Sequence, residues 1–215
     1  MISNVRYIWW DLDGTLYKMP PEFEKVKYQR RFQLYSKITK KPIGEGLKSE
    51  YMGLYRKHGS HSSVFMTLGK SKDFWQEEHQ KIDLMPFIHP DKRTVDMFRA
   101  FETMRIGHSI FTNRKKAFVK KILSHLGINP KLFQHILTNE DVERPKPYPD
   151  GFRKMVKLTR PIPPQNILYV GDRVEADIIP AKKEKLLTAL VWSAQRKTKA
   201  NLTFRHVADV ISLFR

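Results

Sequence analysis

Asp11 and Asp13 stand two residues apart, directly behind the apolar run Tyr7-Ile8-Trp9-Trp10 and directly before Gly14-Thr15. An unbroken apolar run of this kind reads as a buried strand. Residues two apart on a strand share a face, so both carboxylates leave its end side by side. Gly14 then turns the chain, because glycine takes backbone angles that other residues resist. Two crowded carboxylates repel unless a cation or a shared proton intervenes. One can then stay ionised as nucleophile and metal ligand while the other holds a proton as general acid. A polar strand end with an ordinary Asp-Gly turn would read the same over this stretch, so later segments must decide.

Those segments depend on the elements that carry them. After Tyr17 the pair Pro20-Pro21 breaks the chain, and helical spacing follows: Phe23, Val26, Arg30 and Leu34, then Leu47, Tyr51, Leu54 and Tyr55. Gly59 to Ser63 form a turn, a short helical stretch and a helix over Lys72–Ile82 come next, and Pro86 and Pro90 close the region. Nothing between Tyr17 and Pro90 alternates with period two, which predicts an all-helical insertion. Tyr51 and Trp75 belong to its core, and its histidines His58, His61 and His79 are turn or surface groups rather than ligand contacts.

From Pro90 onward helices and strands alternate. Helices are predicted at Asp91–Met104, Lys115–Leu126 (with Gly127 as its cap), Pro149–Leu158, Glu175–Lys183 and Val207–Phe214. Strands are predicted at His108–Thr112, His135–Thr138, Ile167–Val170 and Thr188–Val191. Such alternation implies an α/β fold, a parallel sheet with helices on both faces. Sheets of this kind bind ligands beyond the carboxyl ends of their strands.

Each predicted strand ends in polar groups. The first ends in Asp11 and Asp13, the second in Thr112-Asn113. Lys146 follows the third, pinned between Pro145 and Pro147, and the fourth ends in Gly171-Asp172, with Asp177 five residues on. Segments far apart in sequence thus converge on one sheet edge. A transferred phosphoryl group carries negative charge and needs a cation and donors around it. Mg2+ takes a few carboxylate oxygens, which Asp11 and Asp172 can supply, while Lys146 and Thr112 neutralise and orient the phosphate.

Asp11-x-Asp13-Gly14-Thr15, Thr112-Asn113, Lys146 and Gly171-Asp172…Asp177 resemble, in order, the four motifs of the haloacid dehalogenase-like hydrolase superfamily. The resemblance covers nearly the whole chain. It implies a Rossmann-like core at residues 1–16 and 91–215, with a C1-type helical cap at 17–90. It also implies that Asp11 is the nucleophile forming an aspartyl-phosphate and Asp13 the acid and then the base. Thr112, Asn113 and Lys146 would bind phosphate. Mg2+ would be held by Asp11, the Asp13 backbone carbonyl and Asp172, with Asp177 on the metal side or behind it. The dehalogenase branch lacks the second acid, so Asp13 favours phosphate chemistry. Leu16-Tyr17, Tyr55-Arg56-Lys57-His58-Gly59 and Lys81-Ile82-Asp83-Leu84 look similar to the pyrimidine 5′-nucleotidase-like branch, which makes a nucleoside monophosphate a lead beside sugar phosphates and phosphoglycolate.

Composition sets the remaining bounds. With 40 Lys and Arg against 22 Asp and Glu the net charge is +18. Residues 17–90 hold 14 of those bases and 8 of those acids, leaving 26 and 14 elsewhere, so the charge is equally dense in both parts. A diffuse field attracts anionic substrates but marks no nucleic-acid site. Clusters such as Arg114-Lys115-Lys116 read as solvated faces. No cysteine is present, so neither disulfides nor thiol catalysis enter. No apolar run reaches membrane length and no signal peptide is visible, so the expectation is a cytoplasmic monomer or homodimer acting on a small phosphorylated substrate. The predicted reaction is Mg2+-dependent monoester hydrolysis. A phosphomutase on the same scaffold is the alternative, and a non-catalytic basic binding protein would not keep every catalytic position filled.

Overall fold

A computed structural model describes residues 4–195 and 198–214. Six parallel strands form one sheet in the order β3-β2-β1-β4-β5-β6. They are β1 (Tyr7–Trp10), β2 (Gly107–Phe111), β3 (Phe133–Leu137), β4 (Ile167–Gly171), β5 (Leu187–Leu190) and β6 (Leu202–Thr203). All four β1 residues are buried, which explains their unbroken apolar run. The chain leaves β1 to build one half of the sheet and crosses back beside β1 to build the other. β1 is therefore the switch point where parallel sheets open a crevice.

Four helices precede the return to β2: α1 (Pro21–Thr39), α2 (Glu45–His58), α3 (His61–Met66) and α4 (Phe74–Gln80). Four more accompany the sheet: α5 (Lys92–Glu102), α6 (Lys116–His125), α7 (Asp150–Leu158) and α8 (Ile179–Lys183). The chain divides into two compact units, Met1–Lys18 with Ile88–Arg215, and Met19–Phe87.

In the first unit the alternation of β1 serves two layers. Tyr7 and Trp9 pack with Phe152 and Met155 of α7 and Ala181 of α8. Trp10 faces the other way, with ring centroids 5.2 Å from Phe98 and 6.1 Å from Phe101 on α5. Both buried indoles find acceptors, Trp9 Nε1 donating to Thr159 Oγ1 at 2.9 Å and Trp10 Nε1 to His108 Nδ1 at 3.2 Å. The helices on both faces and the inserted helical segment match the expected α/β architecture.

The inserted unit has its own core, in which Phe32, Tyr35, Leu47, Tyr51, Val64, Phe65 and Trp75 are buried together. Pro21 opens α1, where a missing N–H costs nothing. The Gly59 N–H closes α2 on Tyr55 O at 2.8 Å, in the left-handed conformation that suits glycine. Tyr51 and Trp75 are core residues, as expected. His61, half-buried, packs against this core, its ring stacked 4.3 Å from Tyr55 and its Nδ1 2.9 Å from the Tyr51 hydroxyl.

Three elements differ from expectation. β6 is only two residues long, too short for periodicity to reveal. Val207–Phe214 is a 3-10 helix rather than an α-helix. The predicted helix over Glu175–Lys183 opens as a π turn, Val174–Ile178, before α8. Pro180 explains the widening: it has no N–H to give, and its ring would collide with the carbonyl four residues back. Among the described residues, no helix is long and apolar enough to cross a membrane.

Candidate active site

The register places Trp10 level with Ile110 on β2 and Val170 on β4, so the residues following these strands emerge together. Asp11 N donates to Val170 O at 2.9 Å, extending the ladder by one step, and the carboxylate is 2% exposed. Gly14 then adopts φ +82°, and a Cβ there would lie 2.4 Å from Asp172 Oδ2. Both the conformation and the space therefore require glycine. The turn brings the Thr15 hydroxyl to 3.3 Å from Asp11 Oδ2. Trp192, just past β5, fastens the same turn by donating its indole N–H to Thr15 O at 2.9 Å.

Lys146 is the centre of the buried polar network. Its backbone is clamped by the Asn113 side chain, whose Nδ2 donates to Lys146 O and whose Oδ1 accepts from Lys146 N, both at 2.9 Å. Its Nζ donates to Asp11 Oδ1 and Asp177 Oδ1, each at 2.7 Å, and to the Tyr169 hydroxyl at 3.0 Å. Tyr169 in turn donates to Asp177 Oδ1 at 3.0 Å, and Asp177 Oδ2 accepts from Arg173 N at 3.1 Å. Gly171 makes room for this carboxylate, since a Cβ there would lie 2.5 Å from that of Asp177. All three ammonium protons of Lys146 are thus directed.

Charge balance is the notable property of this cluster. Burial pushes the Asp11 carboxyl up to about 6, with Lys146 opposing the rise and Asp177 adding to it. Asp172 is pushed up to about 7, again chiefly by burial and then by the charges of Asp11 and Asp177. Burial works against the charged form of Lys146, yet Asp11 and Asp177 hold its pKa above the usual lysine value. Asp11, Asp172 and Asp177 each offer a carboxylate oxygen, and these oxygens lie within 4.8 Å of one another. Among the described residues, Lys146 and the half-exposed Arg173 are the cations paired with these three carboxylates, which leaves the group short of positive charge. Hard oxygen donors in such a deficit suit a small divalent cation, so the donor set fits Mg2+.

The carboxylate of Asp13 is not part of that group. Arg114 Nε reaches both its oxygens, at 2.9 and 2.8 Å, and the Tyr17 hydroxyl donates to Oδ1. Arg114 is 6% exposed, which corrects its reading as a solvated face. The reason is local: α6 begins only at Lys116, so Arg114 belongs to the turn leaving β2 and folds inward onto Asp13. The Thr112 hydroxyl accepts from Arg114 N at 3.2 Å and is buried in the same turn. Asn113, expected at the phosphate, has its side-chain amide engaged with Lys146. Asp141, a few residues before Lys146, forms a capping box with Thr138. Arg114, Tyr17, Tyr169 and Trp192 are the participants that sequence reasoning passed over.

Residues 8–191 match the model of the haloacid dehalogenase-like hydrolases. Among curated proteins, the chain is 26% identical to a glyceraldehyde 3-phosphate phosphatase of Methanocaldococcus jannaschii, with 90% of this chain and 87% of that protein covered. Among solved structures, a HAD phosphatase of Thermococcus onnurineus superposes with a TM-score of 0.68 at 16% identity, covering 98% of both chains. A HAD hydrolase of Bacillus subtilis, determined with magnesium bound, gives 0.66 at 16% identity, covering 99% of both. At such identities the structural likeness concerns the fold. The matched segment, however, takes in β2 to β5 and all of β1 but Tyr7, along with Asp11, Asp13, Lys146 and Asp172, and the chain belongs to the haloacid dehalogenase-like hydrolase family.

Proposed function

We propose that this hydrolase is a Mg2+-dependent phosphatase that cleaves a small phosphate monoester through an aspartyl-phosphate on Asp11. The observation that carries the reading is Asp11 itself, a buried carboxylate at the switch point, fixed through Oδ1 by Lys146 and grouped with Asp172 and Asp177. A carboxylate oxygen of Asp11 attacks phosphorus, and the ester P–O bond breaks with its electron pair on the departing alcohol oxygen. That oxygen takes a proton from Asp13. Asp13 then removes a proton from water as the water oxygen attacks phosphorus, and the Asp11–phosphorus bond breaks to release inorganic phosphate. Lys146 keeps Asp11 in place throughout. Bound Mg2+, held by Asp11 and Asp172 with Asp177 beside them, would offset the negative charge that nucleophile and phosphate share.

The test is phosphate release from glyceraldehyde 3-phosphate, phosphoglycolate, sugar phosphates and nucleoside monophosphates, with Mg2+ and with a chelator, alongside Asp11→Asn. The Methanocaldococcus relative puts the triose phosphate first in that panel. Mg2+-dependent release that is lost in the variant is the expected result. Release that persists in Asp11→Asn, or none from any ester, would end this reading.

Two further outcomes follow from the site's electrostatics. Because Asp11 and Asp172 hold protons up to about 6 and about 7, protons compete with the cation below neutrality. Mg2+ affinity measured by calorimetry is expected to strengthen roughly tenfold or more between pH 6 and pH 8. A flat profile would mean that neither carboxyl ligates. In Arg114→Gln, Asp13 loses the cation that holds it. Turnover of an alkyl phosphate is expected to fall about 10²-fold, the low end for acid–base catalysis, with KM within a factor of about three. p-Nitrophenyl phosphate, whose leaving group needs no proton, should lose less. Equal losses on both esters would show that Arg114 serves folding alone.

A further inference from the structure

Trp192, half-buried just past β5, stands at φ +58°, a left-handed backbone angle that bulky residues rarely adopt. The chain on either side holds it there. Val191 N donates to Gly171 O at 3.0 Å, Ser193 N to Phe204 O at 3.1 Å, and Phe204 N to Leu190 O at 2.8 Å. An angle of this kind persists only where the surrounding structure over-determines it, and such angles gather at sites of function. Glycine would take the same turn without strain, so a tryptophan here needs a reason beyond closing the loop.

The indole supplies that reason. Its N–H donates to Thr15 O at 2.9 Å, and its ring meets that of His206 edge to face, with centroids 4.4 Å apart and planes at 67°. His206 is fixed in turn, its Nδ1 accepting from Ala208 N at 3.0 Å and its Nε2 lying 3.3 Å from Asp91 Oδ2. Asp91 caps α5 by accepting from Thr94 N at 2.8 Å. The indole thus rests on a braced ring, with its N–H aimed at the turn that carries Asp11 and Asp13. That turn orients the nucleophile. Lys146 engages Asp11 Oδ1 at 2.7 Å, which leaves Oδ2 as the oxygen free to attack in the proposed reaction. The Thr15 hydroxyl donates to Oδ2 at 3.3 Å and lies 3.5 Å from Asp172 Oδ1. Both contacts are long for a hydroxyl, so a small drift of Thr15 decides whether they form.

We infer that Trp192 is a positioning residue for the hydrolysis: its indole N–H fixes Thr15, and Thr15 holds Asp11 Oδ2 toward phosphorus. The kinetic part rests on the phosphatase reading, whereas the tie between Trp192 and Thr15 does not.

The test pairs Trp192→Phe, which keeps an aromatic ring beside His206 and removes the N–H, with a measurement on the wild type that needs no substrate. In the wild type the Trp192 indole N–H, identified by NMR through its loss in the variant, is expected to exchange with solvent at least about tenfold more slowly than a free indole. Exchange at the free rate would overturn the tie, whatever esters the protein cleaves. On an ester that the wild type turns over, the kcat of the variant is expected to fall about tenfold, with KM within a factor of about three. In a Thr15→Val background, where the hydroxyl is already gone, the same change should cost less than about threefold. An unchanged kcat, or the full loss in both backgrounds, would overturn the positioning role. A wild type that releases phosphate from no ester ends the phosphatase reading and the kinetic role with it, while the indole exchange still decides the tie.

Discussion

Asp11→Asn is expected to lower phosphate release by roughly 10⁴-fold or more while leaving the metal-free protein at least as stable as wild type at pH 8. The first half follows from the proposed chemistry: an amide cannot form the acyl phosphate. The second half follows from electrostatics. Burial raises the Asp11 carboxyl from 3.8 to about 6 in the folded protein. For a carboxyl raised on folding, the favourable contribution is complete below the unfolded value and is lost as pH climbs through the folded one. At pH 8 the wild type carries that loss in full, whereas Asn carries none, and Lys146 still keeps Asp177 and Tyr169. Below pH 4 the advantage of the variant should vanish. Thermal melts in a chelator at pH 5 and pH 8, paired with turnover, check both halves. A large stability loss at pH 8 would mean that the Asp11–Lys146 pair is a net support of the fold rather than a device for reaction.

Part of this site is legible in the amino-acid sequence alone. Each polar strand end stood out because an apolar strand cannot continue through an aspartate or an asparagine, so Asp11, Thr112-Asn113 and Asp172 were visible as interruptions. Lys146 was visible because two prolines isolate it. Tyr169 was not. A tyrosine inside Ile167-Leu168-Tyr169-Val170 looks like any strand residue, and only the sheet's register shows its hydroxyl between Lys146 and Asp177. Arg114 failed in the opposite direction, since a base followed by two lysines reads as surface until the start of α6 is known.

Asn113 shows a different limit. Its place at a strand end was evident, but whether its amide faces a ligand or a neighbouring loop depends on a contact spanning 33 residues. The π turn before α8 required weighing Pro180 against a good helical pattern, and the buried Asp177 lies within it. In each case the residue type was legible and its partner was not. Partners come from topology.

Lys146→Met should be the most damaging single change to both stability and activity. The side chain is fully buried, and it is the cation shared by Asp11 and Asp177. Met fills similar volume, so no cavity confuses the result, but two buried carboxylates are left facing each other. Removing one member of a buried ion pair costs about 3–5 kcal/mol, because the remaining charge is stranded without water. Catalysis should fall by roughly 10³-fold or more, since Asp11 loses the contact that orients it. Two features separate this account from simple misfolding. Lowering the pH from 8 to 5 should recover part of the lost stability, because protonating Asp11 and Asp172, raised to about 6 and about 7, relieves the repulsion. Saturating Mg2+ at pH 8 should recover part of it as well, by supplying a cation to the same oxygens. Denaturant titrations under the three conditions decide the matter. A loss below about 1 kcal/mol at pH 8, the worth of an exposed pair, would mean that water reaches this cluster and that Lys146 does not hold it together.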